Sequence, residues 1–144
     1  MDEVEIHGAQ GLIQQFVSPY TNRRADDWGG SVENRTRFPR DILSRVRQRM
    51  GRGIVGYRMG VEEFTDGGLT TNDGIEITEH FTTDGLVDYL SLSRGNFNRI
   101  ETHLPDHHDP PLAYRELQKR SGSHYRDDME VARAGLAAIG APVT

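Results

Sequence analysis

A chain of 144 residues is long enough for one modest domain, and a mean hydropathy of -0.66 with 35% hydrophobic residues leaves it a thin core. The net charge of -5 argues against nucleic acid as a partner, and the absence of cysteine excludes disulfides, thiolate metal sites, iron–sulfur ligation and cysteine nucleophiles. No apolar run approaches the ~18 residues that span a bilayer, and Met1-Asp2-Glu3 is unlike a secretory leader, so the expectation is a soluble cytoplasmic protein with no membrane partner.

Val4-Glu5-Ile6 reads as a short strand. The stretch from His7 to Gly30 is rich in turn-forming residues around the apolar patch Leu12, Ile13, Phe16 and Val17, and reads as a long structured loop. Ser31 is placed to cap a helix whose apolar stripe runs through Phe38, Ile42, Leu43, Val46 and Met50. Pro39 lies inside that stripe, predicting a kink near Arg35 or a regular helix that starts only at Phe38. Gly51 and Gly53 end it.

Ile54 to Met59 reads as a buried strand, Gly60 to Thr71 as a loop with a tight turn at Asp66-Gly67-Gly68, and Asn72 to Thr83 as a weaker helix. Val87 to Ser93 has the strongest strand pattern. A loop over Arg94 to Pro111, a helix over Leu112 to Lys119, a polar patternless stretch over Ser121 to Asp128, a helix over Met129 to Ile139 and a final strand beginning at Ala141 complete the expectation. Alternation of strand and helix implies parallel strands joined by right-handed crossovers, hence an α/β layer or barrel.

Gly51-Arg52-Gly53-Ile54-Val55-Gly56 matches the letters of a dinucleotide-binding fingerprint, but its glycines leave a helix and enter a strand, the reverse of what that site needs. The same residues serve as a helix stop and turn. His7 and Gln10 follow directly on the first strand, where a parallel barrel presents its ligand face; a structural loop histidine is the alternative. Arg58, in an otherwise apolar strand, requires either an anionic ligand or an ion pair with Glu62 or Glu63. His103, Asp106, His107, His108 and Asp109 crowd one loop without a spacing that converges on an ion, so no metal site is assigned. All but Lys119 of the 17 basic residues are Arg, which suits anion recognition but equally reflects base composition.

The run Val4-Glu5-Ile6-His7-Gly8-Ala9-Gln10-Gly11, with Gln15 to Pro19, Asn22-Arg23-Arg24, Asp27 to Ser31, Glu33 to Phe38, Val55 to Arg58 and Asp88 to Ser93, resembles the Old Yellow Enzyme (NADH:flavin oxidoreductase) family over about residues 4 to 118. The resemblance implies an α/β fold: the central part, about strands four to seven, of a (β/α)8 TIM barrel that holds FMN at its mouth, with NAD(P)H as hydride source. Residues 1–120 would be a partial FMN-binding barrel domain and 121–144 an atypical tail leading into a truncated strand.

By the same resemblance His7 and Gln10 would be catalytic, anchoring a small organic acceptor or amine, although the family usually has Asn or His where Gln10 stands. Arg58 would bind the cofactor beside the flavin's N1–C2=O edge. Leu12 replaces the Tyr that protonates substrate in ene-reducing members, which brings the amine-demethylating branch and simple flavin or quinone reduction into consideration. The alternative, from another class, is a catalytically incompetent barrel fragment or assembly module that depends on missing barrel segments or forms a homo-oligomer through open strand edges near Val4 and Val87.

Overall fold

A computed structural model describes residues 3–96 and residue 98. Its elements are strand β1 (Glu3–His7), helix α1 (Leu12–Val17), helix α2 (Val32–Met50), strand β2 (Ile54–Glu62), helix α3 (Thr71–Thr82) and strand β3 (Tyr89–Arg94), so that strands are separated by helices as expected, with α1 an addition. The strands form one parallel sheet in the order β1-β2-β3. The predicted segments beyond Asn98, including the histidine loop, both later helices, the polar stretch and the last strand, lie outside the described residues.

The strand alternation sorts side chains to two faces. Val55, Tyr57, Met59 and Val61 of β2 are buried with Leu43 of α2 and with Ile77 and Phe81 of α3; Val4, Ile6, Leu90 and Leu92 pack against the same cluster. Tyr57 meets Phe81 edge to face at 4.9 Å. Both long helices therefore cover one face of a sheet whose strand order follows the chain, as in a barrel wall; a doubly wound sheet reverses its order and carries helices on both faces. On the opposite face β1 presents Glu3, Glu5 and His7, all exposed, and β2 presents Gly56, Arg58 and Gly60.

Ser31 caps α2 by accepting a hydrogen bond from the Asn34 amide at 3.2 Å. The expectation of a regular helix that starts only at Phe38 is corrected, because α2 begins at Val32 and runs through the buried Pro39 to Met50. Proline removes one donor, and the packing of Pro39, Leu43 and Val32 against the core holds the turn together without it. Gly51, at φ 57°, ends α2 by donating to Arg47 O at 3.0 Å, and Gly53 donates to Met50 O at 2.9 Å, so these glycines are a helix stop.

Three further boundaries differ. The loop read from His7 to Gly30 contains α1, a helix of 6 residues held to α2 by stacking of Phe16 on Phe38 at 4.3 Å. Such a helix is too short to form on local propensity and exists here by packing. Strand β2 continues past Met59 to Glu62, and β3 begins at Tyr89 rather than Val87 although Asp88 N already bonds Val55 O at 2.7 Å. Helix α3 lies close to its predicted span and starts with a reciprocal cap between Thr70 and Asp73. No helix among the described residues is long and apolar enough to cross a membrane.

Candidate functional site

The C-terminal ends of three parallel strands open on one mouth, and the side chains there come from β1, β2, β3 and the segments that follow them. His7 is the register partner of Arg58, and Arg58 in turn is the partner of Ser91. Partners in adjacent strands project to the same side, so imidazole, guanidinium and hydroxyl form a row across the open face. Gly8 N donates to Arg58 O at 2.7 Å and ties the end of β1 to the middle of β2.

Arg58 is exposed, and among the described residues it forms no ion pair with Glu62 or Glu63. A cation on an open sheet face with no carboxylate against it suits an anionic or electron-rich ring edge, which is the chemistry a flavin would present. His7 stands beside it on the same face, and Leu12, 71% exposed, begins α1 at the same mouth.

Gln10 is placed differently from the substrate-facing amide expected of it. At φ 53° its backbone turns the chain out of β1, and its Nε2 donates to Ser93 Oγ at 2.8 Å and to Arg94 O at 3.0 Å. The side chain thus crosses from the end of β1 to the end of β3. Gly60, the partner of Ser93, makes room in this layer: a Cβ there would come within 2.8 Å of Gln14 Nε2.

Beneath the mouth loops lies a buried carboxylate whose partners are far apart in sequence. Glu63, 2% exposed, accepts from Ser18 Oγ at 2.6 Å, Leu69 N at 2.9 Å and Gln14 Nε2 at 3.3 Å. Its own backbone N donates to Leu69 O, and its carbonyl accepts from Asn96 Nδ2 at 3.3 Å. One residue therefore joins α1, the loop after β2 and the segment after β3. Sequence reading weighed Glu63 only as an ion-pair partner of Arg58; nothing local announces residues 14, 18 and 69 as its neighbours.

The long segment between α1 and α2 is also built rather than loose. Asn22 Nδ2 donates to Phe16 O at 2.6 Å and to Trp28 O at 2.7 Å. Arg35, 5% exposed, reaches Val17 O and Gly30 O, the latter at 3.1 Å, and lies near Asp73 of α3. Burial lowers its guanidinium pKa and nearby Asp73, Glu76 and Glu63 oppose that shift.

At the other end of the open face Tyr89 lies across Gly56 and donates to Glu3 Oε1 at 3.0 Å. Burial, with Glu3 and Glu5 close by, pushes its phenol pKa well up. No group of three or more metal-binding side chains occurs among the described residues.

The family model described as the NADH:flavin oxidoreductase / NADH oxidase family matches residues 1–135. An NADH:acrylate oxidoreductase of Vibrio harveyi is 40% identical over 127 residues, covering 83% of this chain and 12% of the relative. Among solved structures, histamine dehydrogenase from Rhizobium sp. 4-9 aligns with a TM-score of 0.72 at 27% identity, covering 85% of this chain and 18% of that one. The old yellow enzyme homologue from Zymomonas mobilis aligns with a TM-score of 0.59 at 28% identity, covering 83% and 33%. The chain spans at most about a third of the length of these relatives. With the family model matched over nearly all of its length and a barrel-type parallel sheet beneath the match, the chain belongs to the NADH:flavin oxidoreductase / NADH oxidase family.

Proposed function

We propose that this protein is an FMN-dependent oxidoreductase that moves hydride between NAD(P)H, flavin and a small organic acceptor or amine, and that the chain supplies about strands four to seven of a (β/α)8 barrel. The observation that carries this reading is the His7–Arg58 pairing, which puts an imidazole beside a guanidinium that forms no ion pair among the described residues, both on the open face of the sheet. A bound flavin supplies reversible hydride chemistry. Arg58 would hold the ring's carbonyl edge and favour the negative charge that reduction adds; His7 would orient the substrate over the ring.

Leu12, exposed at the mouth, has no proton to give. That favours reactions needing no side-chain acid at this position, such as amine oxidation or flavin reduction, over protonation of an alkene carbon. Titrating the full chain with FMN should quench flavin fluorescence, and Arg58→Gln should weaken binding about tenfold and lower the bound flavin's reduction potential. Absence of quenching, or binding and potential both indifferent to Arg58→Gln, would overturn the proposal.

The competing reading, a non-catalytic barrel segment or assembly module, draws on the two outer strands: among the described residues β1 and β3 each pair on one side only. Size-exclusion chromatography separates the two, since a compact monomer that binds FMN counts against the module.

A further inference from the structure

We infer that Gln10 sets the ligand polarity of this mouth by offering an acceptor only, so that the site selects neutral molecules presenting an O–H or N–H over those presenting a carbonyl; the inference deepens the oxidoreductase reading and rests on it. A glutamine amide carries two N–H donors on nitrogen and an acceptor oxygen. Which atom is which is often ambiguous, but here Arg94 O settles it. A backbone carbonyl only accepts, so the atom 3.0 Å from it must be nitrogen.

The second N–H of the same nitrogen goes to Ser93 Oγ at 2.8 Å. Both donors are consumed within the protein, and Oε1, which has no hydrogen-bond partner among the described residues, is what remains for a ligand. The amide cannot simply rotate to offer a donor. Turning it over would set Oε1 against the Arg94 carbonyl, two acceptors face to face, and leave that carbonyl without this donor.

The length of the side chain creates this state. Gln10 leaves β1 at φ 53° and has the reach to span β2 and touch β3, while the space over Gly60 between them is taken by the Gln14 amide. An Asn at the same place would be one methylene short of the bridge, and its N–H groups would be returned to the mouth. The positive φ suits Asn at least as well, so that exchange changes the amide's reach without straining the backbone.

Calorimetric titration of the full chain, supplied with FMN, with cyclohex-2-en-1-ol and cyclohex-2-en-1-one tests this. The two probes share a ring and carry no charge, so Arg58 does not discriminate between them by sign. The alcohol should bind about tenfold more tightly, the effect of one hydrogen bond made against one refused. Gln10→Asn and Ser93→Ala each release an amide N–H, so both should tighten the ketone and bring the ratio toward one.

Ser93→Ala also removes a hydroxyl donor; were Ser93 itself the ligand's partner, the ketone would weaken instead. Wild-type protein that prefers the ketone, that binds neither probe, or whose preference survives both substitutions overturns the inference. Flavin absorbance of the same samples reads the underlying assignment separately: protein that retains no flavin defeats the oxidoreductase reading, while the ratio in the same titration still decides the role of Gln10.

Discussion

Replacing Glu63 tests whether the mouth loops are held by one buried carboxylate. Glu63 is 2% exposed and accepts three hydrogen bonds, from Ser18 Oγ, Leu69 N and Gln14 Nε2. In Glu63→Ala the Ser18 hydroxyl can turn to another acceptor, but the Leu69 and Gln14 donors are left in a space with little water. At roughly 1–3 kcal/mol for each buried donor without a partner, plus the lost packing of the side chain, the variant should be less stable by about 3–5 kcal/mol.

Glu63→Gln keeps the shape and one acceptor oxygen. Placed where Oε2 stands, that oxygen still accepts from Ser18 and Leu69, and the new amide group faces Gln14, which can turn over to present its own oxygen. The cost should fall to about 1 kcal/mol, the difference between charged and neutral acceptors. Urea denaturation of the full chain followed by far-ultraviolet circular dichroism measures both. Hydrogen exchange of residues 12–18 should rise in the Ala variant, because Gln14 and Ser18 anchor α1 through this carboxylate. Ala and Gln variants lying within about 0.5 kcal/mol of each other would refute the idea that unsatisfied donors carry the effect.

Two other expectations follow from single contacts. A Cβ at Gly56 would sit 2.1 Å from Tyr89 Cζ, so Gly56→Ala should swing the ring away, break its bond to Glu3 and cost about 1–3 kcal/mol, with the Tyr89 phenol titrating closer to its ordinary range; thermal unfolding and a spectrophotometric tyrosine titration check this, and an unchanged titration would exclude the displaced ring. On the surface, the Arg24 guanidinium and the Trp28 amide hold the Asp26 carboxyl down at about 2. A depressed carboxylate contributes stability that is present above its unfolded pKa of roughly 3.9 and disappears as pH falls through the folded value, so an NMR titration should place its midpoint near the folded value and Arg24→Gln should raise it; a midpoint indifferent to Arg24→Gln removes the ion pair as the cause.

Much of the architecture is local and was readable from the chain itself. Ser31 before an apolar stripe of period near four marks the start of α2, and Gly51 and Gly53 mark its end, because capping and left-handed turns depend on residues within one helical turn. The strand cores Val4–Ile6, Ile54–Met59 and Tyr89–Ser93 follow from composition and alternation in the same way. Alternation also implies that His7 and Glu5 share a face, and that Arg58 opposes Tyr57.

What packing alone decided are the relations between distant segments. The short helix α1 was missed because its stability lies in the Phe16–Phe38 stack and not in its six residues. His7 and Arg58 become neighbours only through the β1–β2 register, and a slip of one residue would have put them on opposite faces. The resemblance implies that Gln10 anchors a ligand, but only the fold shows that its amide N–H groups go to Ser93 and Arg94, which lie 83 and 84 positions along the chain. Glu63 gathers Gln14, Ser18 and Leu69 by the same long-range logic: composition and spacing report a residue's own tendencies, but which polar groups satisfy one another after burial depends on where the whole sheet carries them.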